Sequence, residues 1–172
     1  SKILFMKIPE SVERLCEVTL ELLRKEKYAE DVYIRPLLYK SSPKIGISLK
    51  GIEDSITIFS SPFGDYLDIQ KGIRVTVSSW RRAEDNAAPS RAKSTGTYVG
   101  PALAKTEAVL KGFDEALVLN EAGHVCEGSA ENLFIVRNGV VITPPVNENI
   151  LEGITRQAVI ELVRKELRLE LI

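Results

Sequence analysis

Lys93 is the residue of this chain best suited to covalent chemistry. It lies in a polar segment of small side chains, and the phenol of Tyr98 follows within a few positions. A lysine amine can form an imine with a carbonyl cofactor, and a neighbouring phenol can donate a hydrogen bond to that cofactor. A lysine in a polar loop is more often a solvated surface group, so the hypothesis depends on partners elsewhere in the sequence.

Glu127 is the first such partner, a carboxylate at the end of a predicted strand and just before Gly128. A carboxylate beside a pyridine nitrogen stabilises the protonated ring, which then accepts the negative charge of a carbanion more readily. Together with Lys93, this pattern predicts pyridoxal 5'-phosphate as the cofactor. The alternative is an ordinary strand-end carboxylate in water.

Two further segments have the donors needed to bind anions. The turn at Gly153 leads into a predicted helix, whose first backbone N–H groups and Thr155 hydroxyl would face an anion such as phosphate. Alternatively, Thr155 only caps that helix. Tyr33 and Arg35 share one face of a predicted strand and could together bind a carboxylate, or they could belong to an ordinary surface strand.

Composition excludes several classes of protein. The chain has 172 residues, 23 basic and 24 acidic side chains, and a pI of about 6.0, without the basic excess of a nucleic-acid-binding protein. Cys16 and Cys126 lack the paired spacing of a zinc site, so we expect no metal and a reducing, cytoplasmic compartment. No apolar run reaches the length of a membrane span. We therefore expect small-molecule substrates, and neither a nucleic acid nor a membrane as partner.

Hydrophobic periodicity predicts two parts of mixed α and β structure, 1–65 and 73–172, joined by a loop over 66–72. In the strand at 73–77, alternation places Ile73, Val75 and Val77 on a buried face, and Trp80 is expected in the core. Asn138-Gly139 predicts a two-residue hairpin turn. The predicted helices are 9–27, 98–111 and 155–167, and the predicted strands are 32–39, 45–49, 56–60, 73–77, 116–120, 124–127, 133–137 and 140–143.

Taken in order, these fragments resemble the class IV aminotransferases, the pyridoxal-phosphate enzymes of fold type IV, and most closely the branched-chain amino acid aminotransferases. The resemblance runs along nearly the whole chain. It is carried by residues 33–36, 78–82, 93 with 98, 127–134, 143–145 and 151–156.

The resemblance implies a role for each cofactor residue. Lys93 would form the imine and move the proton of the substrate Cα. Tyr98 would hydrogen-bond the phenolic oxygen of the cofactor, and Glu127 would pair with the pyridinium nitrogen. Ile154 and Thr155 match the phosphate-binding turn at a helix start.

For substrate binding, the resemblance implies that Tyr33 and Arg35 face substrate carboxylates. Phe63 and Tyr66 match residues that line the side-chain pocket and the interdomain loop. The reaction it implies is transamination between branched-chain L-amino acids and 2-oxoglutarate, in a homodimer or larger oligomer. The open alternatives are a D-amino acid aminotransferase or an aminodeoxychorismate lyase of the same fold, and a non-catalytic α/β binding domain.

The implied fold has a smaller α/β N-terminal domain and a larger C-terminal β-rich domain with helices. We expect the chain to be an incomplete part of that fold. The family's upstream phosphate-binding arginine and its downstream Thr/Ser/Ala-rich turn have no counterpart in the sequence.

Overall fold

The computed structural model describes residues 2–64 and 70–172. Contacts divide the chain into two compact units, Ser1–Asp68 and Ile69–Ile172. Tyr66 and most of the predicted connecting loop lie outside the described residues. Within the described ranges, no helix combines the length and the apolar character needed to cross a bilayer.

The described part of the first unit contains one α-helix and one antiparallel strand pair. Helix α1, Val12–Glu26, begins later than predicted because the Ser11 hydroxyl caps it, accepting a hydrogen bond from the Arg14 N–H at 3.1 Å. Strand β1, Val32–Lys40, pairs in antiparallel register with β2, Asp54–Pro62. Helix α1 packs against β2.

The predicted strand at 45–49 is wrong. Ile45 and Ile47 are fully exposed in a segment without regular structure between β1 and β2. The two long strands pair directly with each other along their whole length, so this segment is the connection between them. Alternating apolar residues predicted a strand there, but a strand also needs a neighbour to bond its backbone.

The described part of the second unit contains a three-stranded sheet, a hairpin and two α-helices, the second of which continues into a π-helical segment, Val163–Leu167. Strands β3 and β4 are parallel, helix α2 lies in the connection between them, and β5 pairs antiparallel with β4. The elements are β3 (Val75–Arg81), α2 (Val99–Leu110), β4 (Glu115–Leu119), β5 (Val125–Gly128), β6 (Ile135–Arg137), β7 (Val140–Ile142) and α3 (Ile154–Leu162).

The predicted β6–β7 hairpin is confirmed. Strands β6 and β7 pair antiparallel, and both turn residues have positive φ, 53° at Asn138 and 79° at Gly139. Asparagine and glycine are the residues that tolerate this conformation, which matches the right-handed twist of the two strands.

The predicted buried face of β3 is wrong. Val75 and Val77 are 43% and 51% exposed, whereas Ser78 is 2% exposed. The face with Ser78 lies against α2. The Ser78 hydroxyl donates a 2.6 Å hydrogen bond to Glu107 of that helix. Trp80, expected in the core, is 47% exposed. Periodicity identified the two faces of the strand, but it did not identify which of them the helix covers.

Small side chains bring α2 close to the sheet. Ala104 and Ala108 of the helix are fully buried against Ala116 and Val118 of β4, with Phe113 packed at their edge. Alanine allows close approach of a helix to a strand, which fixes the position of the residues that precede the helix. Those residues include Lys93 and Tyr98.

Candidate active site

Lys93 lies on a loop between β3 and α2 that an ion pair and hydrogen bonds hold in place. The Arg91 guanidinium contacts the Asp85 carboxylate at 2.5 Å, and the Asp85 N–H donates to the Asn149 side-chain oxygen at 3.3 Å. The Lys93 amine donates a hydrogen bond of 2.7 Å to the Tyr98 hydroxyl. The structure therefore brings together the two residues that the sequence analysis paired, with the amine oriented by the phenol.

Glu127 is a buried carboxylate, only 5% exposed, with partners on both oxygens. Its Oε1 lies 2.7 Å from the Arg82 guanidinium. Its Oε2 accepts hydrogen bonds from the Asn132 amide at 2.9 Å and from the Leu151 N–H at 3.1 Å. Burial raises the pKa of Glu127, while the nearby charges of Arg82 and Lys93 and the Leu151 N–H act in the opposite direction.

An irregularity in β5 helps to turn Glu127 inward. Val118 of β4 is opposite Glu127, but the next residue, Leu119, is opposite Val125, so Cys126 is left between two pairs. Such an insertion interrupts strand alternation and re-aims side chains. Consequently Cys126 and Glu127 are both buried, although consecutive residues of a regular strand point to opposite faces. Burial raises the pKa of the Cys126 thiol to about 12.

Lys93 and Glu127 line the same cavity, together with Tyr98, Asn132 and Leu151. An overlapping cleft of about 680 Å³ has Lys93 and Asn132 in common with that cavity. It extends to the start of α3 and includes Gly153, Ile154 and Thr155 in its wall. All five predicted cofactor residues are therefore in one continuous region of the second unit.

Helix α3 begins with a glycine rather than with a capping side chain. Gly153 is the N-cap residue, with φ −66° and ψ 141°, and Ile154 is the first residue of the helix and 91% exposed. Thr155 follows within the first turn, so it is not the N-cap. Backbone N–H groups of a first turn lack partners within the helix, and together with the helix dipole they favour an anion.

The groups that line the cavity and the cleft fit pyridoxal phosphate. The cleft provides an amine for an aldehyde carbon, a phenol beside it, a buried carboxylate for a ring nitrogen and a helix start for a phosphate. Among the described residues, no group of His, Cys, Asp and Glu side chains could hold a metal ion.

Sequence reasoning missed the side chains that position Glu127. Arg82 and Asn132 lie in two of the segments that carry the family resemblance, but their residue types did not reveal their partners. Arg82 is 9% exposed, and its Nε also donates a 3.0 Å hydrogen bond to the Asn149 carbonyl oxygen. A charged side chain this deeply buried needs an opposite charge. Only the folded structure shows that Arg82 is buried, so the sequence alone could not reveal its need for an acidic partner.

In the first unit, Tyr33 contacts two of the other predicted substrate residues, Arg35 and Phe63. The Arg35 guanidinium donates a 2.8 Å hydrogen bond to the Tyr33 hydroxyl and lies 5.0 Å from the centre of its ring. The rings of Tyr33 and Phe63 are 5.4 Å apart. The fourth residue, Tyr66, lies outside the described residues.

Comparison with known proteins places these features in one family. The family model for amino-transferase class IV matches residues 1–172. The "Probable branched-chain-amino-acid aminotransferase" of Aquifex aeolicus is 54% identical over 170 residues, which cover 99% of this chain and 55% of the relative.

Solved structures agree in sequence and in fold. The branched-chain aminotransferase from Thermoproteus uzoniensis, crystallised with norvaline, has a TM-score of 0.92 and 43% identity, covering 99% of this chain and 57% of that one. The T.th. branched-chain amino acid aminotransferase complexed with N-(5'-phosphopyridoxyl)-L-glutamate has a TM-score of 0.87 and 40% identity, covering 99% and 55%. The chain thus spans about half the length of these relatives. It has the aminotransferase fold of type IV and belongs to the class IV aminotransferase family.

Proposed function

We propose that the protein is a pyridoxal 5'-phosphate-dependent aminotransferase that transfers an amino group between branched-chain L-amino acids and 2-oxoglutarate. One observation carries the proposal: the Lys93–Tyr98 pair and the buried Glu127 line a single cavity. The names of the relatives, branched-chain aminotransferases, support the substrate class. The norvaline in one solved structure and the phosphopyridoxyl-glutamate in the other support an aliphatic amino acid and glutamate as the two amino donors.

Five residues would hold the cofactor. Lys93 would bind it covalently through Nζ, Tyr98 would donate to its phenolic oxygen, and Glu127 would pair with its ring nitrogen. The start of α3 at Ile154 and Thr155 would bind its phosphate. When bound, pyridoxal phosphate supplies an electron sink that stabilises negative charge on the substrate Cα.

The residues of the chain handle the protons. Once the substrate amine has replaced it on the cofactor, the free Lys93 Nζ would take the proton from the substrate Cα, and the Tyr98 hydroxyl, 2.7 Å away, orients that amine. Arg82 favours the ionised form of Glu127 despite its burial, and an ionised Glu127 can hold a proton on the ring nitrogen. The low exposure of Glu127 keeps water from screening that interaction.

Tyr33, Arg35, Phe63 and Tyr66 are the proposed substrate-binding residues. Aromatic rings suit an aliphatic side chain, and a guanidinium suits the second carboxylate of 2-oxoglutarate. The Tyr33 hydroxyl accepts two hydrogen bonds from Arg35, at 2.8 and 3.2 Å, which restrict the guanidinium to one orientation. One surface could therefore receive both substrates of the proposed reaction.

Three wider features also belong to the proposal. The family resemblance supports a homodimer or larger oligomer. The absence of paired cysteine spacing supports a cytoplasmic location. The division of the chain between Asp68 and Ile69 supports two domains, 1–65 and 73–172, with a connecting segment at 66–72.

Reductive labelling tests the role of Lys93. The full-length protein is incubated with pyridoxal phosphate, reduced with borohydride, and mapped by peptide mass. We expect the added mass on the peptide containing Lys93, and its loss in Lys93→Ala together with all transamination activity. The matched control is Lys165→Ala on the helical segment after α3, where the amine is exposed and pairs with Glu161 at 3.1 Å. Labelling at Lys165, or normal turnover by Lys93→Ala, would reject the proposal.

Substrate assays separate the alternatives. The same preparation is offered L-leucine with 2-oxoglutarate, D-alanine with 2-oxoglutarate, and aminodeoxychorismate. Turnover of L-leucine supports the proposal, whereas preference for either of the others assigns the protein to a sibling of the same fold. An absence of both labelling and turnover would indicate a non-catalytic binding domain.

A further inference from the structure

The Asn132 side chain occupies the space that any side chain at position 153 would need. A Cβ atom built on Gly153 would lie 2.2 Å from the Asn132 Oδ1, far inside van der Waals contact. The backbone of Gly153 has φ −66° and ψ 141°, an extended conformation open to every residue. The need for glycine at position 153 therefore comes from Asn132 and not from the backbone.

The same carboxamide bridges Glu127 and the turn that leads into α3. Asn132 Nδ2 donates to the Glu127 Oε2 at 2.9 Å and to the Leu151 carbonyl oxygen at 2.8 Å. The Leu151 N–H donates to the same Glu127 oxygen at 3.1 Å. The Gly153 N–H donates to the Leu151 carbonyl at 2.8 Å. Asn132 thus connects the buried carboxylate to Leu151, whose carbonyl oxygen is also bonded by Gly153, the N-cap of α3.

We propose that Asn132 is a positioning residue that sets the distance between the Glu127 carboxylate and the start of α3. This inference rests on the proposed function, in which Glu127 holds the ring nitrogen of the cofactor and the start of α3 holds its phosphate. The ring nitrogen and the phosphate belong to one small molecule and are joined by only a few bonds, so the protein must hold their two binding groups within a narrow range of spacing to bind it well. Gly153 allows the carboxamide to reach Leu151 and Glu127 at the same time.

A double-mutant cycle measures the energetic coupling between Asn132 and Gly153 in the cofactor-free protein. The variants are Asn132→Ala, Gly153→Ala and the double variant, and the readout is the unfolding equilibrium. We expect Gly153→Ala alone to raise the unfolding equilibrium constant at least about fivefold, because its Cβ displaces the carboxamide. In the Asn132→Ala background, the same change should cost clearly less, because only the lower preference for alanine at the N-cap of α3 then remains. If Gly153→Ala yields no folded protein but the double variant folds, the expected coupling is likewise observed.

Gly100→Ala is the matched control. Gly100 also has negative φ, and a Cβ there would meet nothing within 4 Å. This change should be neutral or stabilising to the same extent with and without Asn132. Equal effects of Gly153→Ala in the two backgrounds would overturn the proposed contact.

Cofactor binding tests the positioning role separately. Pyridoxal phosphate is titrated into the cofactor-free protein, and we expect Asn132→Ala to weaken binding at least about tenfold, since it removes a hydrogen bond to a charged group and a second one to the backbone. If Asn132 acts through Glu127, the loss should be much smaller in a Glu127→Gln background. An equal loss in both backgrounds, or unchanged affinity in Asn132→Ala, would overturn the positioning role. A wild-type protein that binds no pyridoxal phosphate would instead reject the proposed function, while the cofactor-free cycle would still report on the contact.

Discussion

Replacing Arg82 with methionine should reveal how much the buried charge of Glu127 lowers the free energy of unfolding when it has no partner. The ion pair joins atoms 2.7 Å apart, with side chains only 9% and 6% exposed. With an effective dielectric constant of about 20 and charge centres about 4 Å apart, their attraction is about 4 kcal/mol. Removing one partner of a buried pair typically costs about 3–5 kcal/mol, because the other charge stays buried. We expect Arg82→Met to lower the free energy of unfolding by that amount at pH 8.

The pH dependence distinguishes a charge effect from a packing effect. The folded-state pKa of Glu127 is already raised by burial, and removal of the Arg82 charge would raise it further. A carboxyl group with a raised folded-state pKa contributes stability below its unfolded-state pKa and loses it as the pH rises through the folded-state pKa. The destabilisation by Arg82→Met should therefore be smaller at pH 5 than at pH 8, by more than about 1 kcal/mol.

Urea denaturation followed by the fluorescence of Trp80, the single tryptophan of the chain, gives the required free energies. The neighbouring Arg81→Met is the matched control, because Arg81 is exposed and donates only a 3.3 Å hydrogen bond to the Ser78 carbonyl oxygen. It should cost less than about 1 kcal/mol at either pH. Adding Glu127→Gln to Arg82→Met should recover part of the loss, because no charge then stays buried. An equal loss at pH 5 and pH 8, or no recovery in the double variant, would refute the reasoning.

Two other predictions concern stability and thiol chemistry. Lys111 and Ser78 hold the pKa of Glu107 at about 2, so its contribution to stability is present above pH 4.5 and is lost as the pH falls toward 2. Glu107→Gln should therefore remove part of the acid-induced loss of stability in circular-dichroism titrations; an unchanged acid transition would contradict the assignment. With a chromophoric disulfide reagent at pH 8, Cys16 should react at once and Cys126 only on unfolding, because Cys16 is exposed and burial raises the pKa of Cys126 to about 12. Rapid reaction of both thiols in the native protein would show that β5 opens readily.

Much of the fold could be predicted from local sequence pattern. The α1 periodicity, the alternation in β1 and the Asn138-Gly139 turn each correspond to an observed element, because each depends mainly on nearby residues. The segment at 45–49 and the buried face of β3 were wrong for one common reason. In both cases the outcome depended on a distant element: no strand in the described part of the chain pairs with the segment at 45–49, and α2 lies against the other face of β3.

The order of residue types along the chain was enough to determine the family and the pairing of Lys93 with Tyr98, since these residues are close in sequence and their chemistry is a property of their types. Tertiary structure alone decided how Glu127 is held. Its partners Arg82 and Leu151 lie on distant segments, and the insertion at Cys126 and the fit of Asn132 against Gly153 arise only when those segments pack. Burial and close contact are properties of the folded chain, so neither the charge state of Glu127 nor the need for glycine at position 153 could be inferred from residue order.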